Sequence, residues 1–141
     1  MAKFCSEWDR GPCGVSKHDC ESCQKIFANC HGKDITRGSI VYVRELGLAV
    51  GSEQHGGRPA VVVSNDIGNF HSPILSVVYL STKTVKRLPT HTLITSCPRK
   101  SVALCETIDT IDLQRVSDYI GDCTEAEMQR IDRALRIALA L

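Results

Sequence analysis

Five short runs rich in β-branched or aromatic residues, each bounded by turn formers, follow one another before the chain offers a convincing helix. They are Ile40 to Val43, Arg58 to Val63, Leu75 to Leu80, Thr90 to Thr95 and Val102 to Cys105. Such side chains favour the pleated backbone, and strands that succeed one another without crossover helices must pair antiparallel. A mainly β fold follows, most simply a small antiparallel barrel. One helix is expected to close the chain. Thr124-Glu125-Ala126-Glu127 forms a capping box, in which threonine and the glutamate three residues on satisfy each other's orphan backbone donors. Met128, Ile131, Leu135 and Ala138 then recur at three- and four-residue steps, with Arg130, Arg133 and Arg136 largely off that stripe, so the helix should pack against the barrel.

The second strand is entered from the chain's only Gly-Gly pair, in Gly51 to Pro73, GSEQHGGRPAVVVSNDIGNFHSP. Glycine allows tight turning and close backbone approach, while Pro59 fixes its own φ and pushes Arg58 towards extended backbone. A cation is thereby delivered where a loop meets a rigid strand. Beyond it, Ser64-Asn65-Asp66 reads as a turn that Ile67-Gly68-Asn69 continues.

A chain of 141 residues accommodates one ordinary domain and an appendage. No apolar run approaches the ~20 residues of a membrane span, and Met1 to Gly11 lacks the apolar core of a signal peptide, so a cytoplasmic location with no membrane partner is expected. The net charge of +1 excludes binding to nucleic acid by bulk charge alone. The charges are nonetheless segregated: five cations and no acid between Ser81 and Lys100, seven acids against Arg115 between Glu106 and Glu127. That asymmetry suits either a polyanion held on one side or two solvated loops of opposite sign.

Five of the eight cysteines fall in the first thirty residues, a placement unlike a disulfide framework in a reducing compartment. The Cys20-x-x-Cys23 spacing lets two thiolates share a tetrahedral zinc, with Cys13 and Cys30 as the best completing pair and Cys5, His18 or His31 as substitutes. Residues 1–36 then form a cysteine-rich segment folded by a structural zinc, or else a tail of reduced thiols, ahead of a domain at 37–141. Cys97, Cys105 and Cys123 read as small buried residues.

The stretch from Arg37 to Leu141 resembles the MazF/PemK family of toxins from type II toxin–antitoxin systems. The resemblance rests on AVGSEQHGGRP, on VVVSNDIGN followed by SP, on LPTH at Leu88 to His91, on TID at Thr110 to Asp112, and on the closing helix. It implies an SH3-like barrel, a homodimer, a cognate antitoxin whose tail occupies the RNA groove, and cleavage of single-stranded mRNA at a specific sequence with no catalytic cofactor. It places the catalytic pair on Arg58 and on Ser81, where the family has threonine; Thr82 is the alternative if the register differs by one. Asp109 stands where the family commonly has arginine, and Thr107 where it has glutamine.

In such an enzyme the 2′-hydroxyl attacks the adjacent phosphorus. Arg58 would stabilise the phosphorane through its planar fork, and the Ser81 or Thr82 hydroxyl would position the phosphate or relay a proton. Gly56 and Gly57 amides, with Asn65 and Asn69, are candidate base readers, although both asparagines also suit turn formation. Lys83, Lys86 and Arg87 are candidate phosphate holders, and His91 a further RNA contact. The competing reading is a barrel that binds nucleic acid or inhibits a protein target without cleaving; Ser81 and Asp109 keep it open.

Overall fold

The computed structural model describes residues 35–44, 57–83 and 87–141. The zinc candidates Cys13, Cys20, Cys23 and Cys30, together with Gly56 and Lys86, lie outside the described residues. Six strands form one antiparallel sheet: β1 (Ser39–Val43), β2 (Arg58–Val62), β3 (Ile74–Ser81), β4 (His91–Ile94), β5 (Ser101–Asp112) and β6 (Val116–Asp122). A short helix α1 (Asp66–His71) joins β2 to β3, and the closing helix is α2 (Glu125–Leu139). Spatial order is β4-β5-β3-β2-β1-β6, which makes β4 and β6 the two edges. The sheet curls so that those edges approach: a Cβ on Gly121 of β6 would lie 3.5 Å from the Ser96 carbonyl just beyond β4. No ladder joins β4 to β6 among the described residues, so the sheet curves in the manner of a barrel without closing as one.

Both faces of the sheet are buried. One carries Val41, Val43, Ala60, Val62, Leu75, Val77 and Ile111, completed by Ile35 and by Leu113 of the 3-10 turn that follows β5. The fold thus takes in Ile35, two residues ahead of the boundary expected at Arg37. The opposite face carries Ile40, Val61, Val78, Leu80, Ile94 and Ala103 beneath Ile131 and Ala134 of α2. That is the packing the apolar stripe predicts. Cys105 is buried in this second cluster, with Cys97 and Cys123 packed half-buried beside it; burial pushes their thiols up, to about 11 for Cys105 and about 12 for Cys123. No helix of the described residues is long and apolar enough to cross a membrane.

Three elements differ from the sequence reading. β5 runs seven residues past Cys105, bending where its pairing with β3 shifts between Val78 and Tyr79. β6 was not expected, because Val116-Ser-Asp-Tyr-Ile-Gly-Asp alternates weakly; it forms by pairing with β1 through two irregularities. The Asn65 to Asn69 segment is a helix rather than a turn. Six residues are too few for a helix to stand alone. Asn65 caps it by accepting from the Gly68 N–H at 2.8 Å, and Asn69, 1% exposed, donates to the Ser64 carbonyl at 2.9 Å and to Asp66 at 3.3 Å.

The capping box of α2 is present, and Glu127 does more than the box requires. It is 2% exposed and accepts from Thr124 N–H, Thr95 N–H at 2.7 Å and the Ser96 hydroxyl, thereby tying the helix to the β4–β5 loop. Burial alone would raise its pKa, but these donors outweigh burial and bring it down to about 2. A depressed carboxyl contributes stability that is complete above its unfolded value near 4.5 and is lost as pH falls towards 2. Glu127→Gln, which turns an amide donor against backbone N–H groups, should cost about 2 to 3 kcal/mol at neutral pH. Urea unfolding at neutral pH and near pH 3 should show the gap between variant and wild type narrowing in acid.

Candidate active site

Arg58 and Ser81 meet at one end of the β2–β3 hairpin. The strands pair Ala60 with Tyr79, Val61 with Val78 and Val62 with Val77. Continued by two residues, that register sets Arg58 opposite Ser81. Side chains two apart on a strand, and directly opposite across a pair, share a face. Arg58, Ala60, Tyr79 and Ser81 therefore project together. Thr82, one residue past the strand, has the opposite pleat parity, although it too borders the cleft. That cleft, about 450 Å³, is lined by Gly57, Arg58, Pro59, Ser81, Thr82 and Lys83 among others.

Gly57 shows why the loop must end in glycine. An ideal Cβ there would stand 1.6 Å from the Val43 carbonyl oxygen and 2.7 Å from the Arg44 Cα, so any side chain would push β2 away from the end of β1. Close approach at Gly57 fixes the position from which Arg58 departs. Pro59 is tolerated because the ladder from β2 to β3 begins only at Ala60. Arg58 is exposed and its guanidinium carbon lies 4.7 Å from the centre of the Tyr79 ring. Among the described residues no carboxylate makes an ion pair with it. The Ser81 hydroxyl oxygen accepts the Lys83 N–H at 3.2 Å, which closes the turn and leaves its proton to donate into the cleft.

The other candidates divide. Lys83 borders the cleft, but Arg87 lines a second groove of about 410 Å³ beside Arg130 and Arg133 of α2. Asn65 caps α1 and Asn69 lies within it, at the far end of the hairpin. The four-residue rise of β2 alone puts them at least about 13 Å from Arg58. His91 is held rather than presented: its side chain is 6% exposed, Nδ1 accepts the Leu88 N–H at 3.3 Å, and Nε2 meets Glu106 at 2.8 Å. Glu106 also accepts from the Thr90 hydroxyl at 2.8 Å. Burial would raise the Glu106 pKa, but the His91, backbone and Thr90 bonds outweigh it and lower it.

Tyr79 is a member of this face that the sequence reading does not single out, and its partner is Asp109, singled out there as a departure from the family pattern. The Tyr79 hydroxyl donates to Asp109 at 2.6 Å, and burial together with that carboxylate raises its pKa, so it stays a donor. The available signal was periodicity: in a strand ending at Ser81, the residue two earlier lies on the same face. Of the acids between Glu106 and Glu127, Glu106, Asp112, Asp122 and Glu125 are exposed, yet several hold a specific partner. Asp109 takes a tyrosine hydroxyl, Asp112 caps the 3-10 turn and Asp122 takes the Tyr119 hydroxyl. Among the described residues no group of three or more His, Cys, Asp or Glu is placed to hold a metal ion.

The chain is similar in sequence and in fold to known proteins. Residues 36–139 match the family model described as PemK-like, MazF-like toxin of type II toxin–antitoxin system. The chain is 44% identical to endoribonuclease EndoA of Bacillus subtilis (strain 168), over 76% of this chain and 97% of that protein. A solved endoribonuclease in complex with its cognate antitoxin, from a mycobacterial species, superposes with a TM-score of 0.65 at 30% identity, covering 75% of this chain and 95% of that one. A MazE–MazF structure from Deinococcus radiodurans has the same fold, with a TM-score of 0.65 at 20% identity over 77% of this chain and 98% of that one.

Proposed function

The chain belongs to the PemK-like, MazF-like toxin family of type II toxin–antitoxin systems, and from that premise we propose that it is an endoribonuclease cleaving single-stranded mRNA at the Arg58–Ser81 cleft. The observation that carries the site assignment is the common face of Arg58 and Ser81, at the mouth of a cleft that also holds Lys83. In the reaction the 2′-oxygen gives up its proton and bonds to phosphorus. The phosphorus–O5′ bond breaks, and the leaving oxygen takes a proton. The products are a 2′,3′-cyclic phosphate and a 5′-hydroxyl. Arg58 offers two N–H groups to the phosphorane oxygens, and the Ser81 hydroxyl donates to a third or relays a proton. Lys83 holds a flanking phosphate as a point charge. No step calls for a metal.

The test is direct: incubate the purified protein with a long RNA in EDTA and map the new ends. Cuts at one short sequence, carrying cyclic phosphates, are the expected outcome. Ser81→Ala should slow cleavage more than Thr82→Ala, since only Ser81 shares the face of Arg58. Uncut RNA would leave a binding module in place of the enzyme.

The same premise makes a cognate antitoxin the protein partner, competing with RNA for the groove, and makes the working form a cytoplasmic homodimer. Residues 1–36 are assigned one structural zinc, through Cys20, Cys23 and a completing pair such as Cys13 and Cys30. Native mass spectrometry reads assembly and metal together. The expected species is twice the 15.5 kDa chain with one zinc per chain, the zinc being lost when Cys20 and Cys23 are replaced by serine. A metal-free monomer would overturn both assignments.

A further inference from the structure

We propose that Tyr79 is a positioning residue for Arg58, its ring face carrying the guanidinium and Asp109 fixing the ring through its hydroxyl. The inference rests on the assignment of Arg58 to the cleaving site. Its geometry is independent of that assignment. The guanidinium carbon lies 4.7 Å from the ring centre, and the hydroxyl at the ring's far end donates to Asp109 at 2.6 Å across 30 residues of sequence. Tyr79 is half-buried against the cluster that includes Ala60 and Val77, so neighbouring side chains limit the ring's rotation as well. β3 and β5, which supply the two residues, are paired along nearly the whole of β3, so the ring and its anchor cannot drift apart.

The arrangement suits a phosphate-binding arginine. A guanidinium stacked on a ring uses its face, and its in-plane N–H groups remain free. An ion pair would instead occupy the fork that the phosphorane needs. Asp109, the acid nearest in function to this fork, has its Oδ2 engaged by the tyrosine hydroxyl. The ring thus confines a long, exposed side chain to one region of the cleft without consuming its donors. Preorganisation of this kind matters because small misplacements of a catalytic group are costly in rate.

The experiment compares wild type, Tyr79→Phe and Tyr79→Leu by single-turnover cleavage and, without RNA, by the Arg58 Nε–Hε resonance. The ring should shift Hε of Arg58 upfield of the other arginines. In Tyr79→Phe the ring remains while its anchor is lost, so the shift should persist and the rate should fall about two- to threefold. Tyr79→Leu should abolish the shift and lower the rate about tenfold, with RNA binding nearly unchanged. Leucine cleaving like wild type, or phenylalanine losing as much as leucine, would overturn the proposal; the latter would assign the role to the hydroxyl. Should the leucine variant fail to fold, an unshifted Arg58 resonance in wild type overturns it just as well. If wild type cleaves no RNA, the enzymatic assignment falls while the resonance still decides the stack.

Discussion

Arg58→Ala is expected to lower the single-turnover cleavage rate about 10²- to 10³-fold, the loss typical of removing one preorganised donor to a developing oxyanion. The variant should fold normally, because Arg58 is exposed and its guanidinium lies over the Tyr79 ring rather than in the core. The loss is expected in the rate constant more than in affinity. On the proposed mechanism flanking phosphates are held by other groups such as Lys83, whereas the fork of Arg58 is matched to the trigonal-bipyramidal phosphorus. Arg58→Lys tests shape against charge: an ammonium keeps the charge but not the paired N–H geometry, so it should recover little. Full activity in Arg58→Ala would remove Arg58 from the site.

Replacing the scissile ribose by 2′-deoxyribose should abolish cleavage and change binding by no more than about threefold. The effect is the largest expected because it removes the nucleophile itself. A single deoxy position leaves every phosphate and nearly every base contact in place, so affinity, carried mostly by those contacts, should persist. Cleavage of the deoxy substrate at an undiminished rate would sink the 2′-hydroxyl mechanism while leaving the Arg58 result intact. The two measurements are therefore independent.

Much of the molecule was legible before any coordinates. The strand runs were readable because β-branched residues bounded by turns are local signals. The α2 capping box was readable because its four residues interact with one another. Arg58 stood out because glycine, arginine and proline constrain adjacent torsions, and those constraints act within three residues. Even so, the reason for Gly57 is tertiary: it is the Val43 carbonyl, brought up by the β1–β2 pairing, that leaves no room for a side chain.

The remaining features depend on register and on partners distant in sequence. Whether Ser81 or Thr82 shares the face of Arg58 is a parity question, and a slip of one residue between β2 and β3 would reverse the answer. No local propensity fixes that parity. The Tyr79–Asp109 bond spans 30 residues and exists because β5 pairs Asp109 with Val77, two residues from Tyr79 on the same face of β3. The same holds for α1, whose six residues are helical because Asn65, Asn69 and Asp66 find backbone partners there, Asp66 taking the Arg37 N–H from 29 residues away. His91 reads in sequence as a further RNA contact, and the structure engages its ring between the Leu88 N–H and Glu106. Sequence fixes which side chains are available and how each strand alternates; the pairing of strands selects which of them face one another, because a pleat has two sides and only a partner strand determines which one is shared.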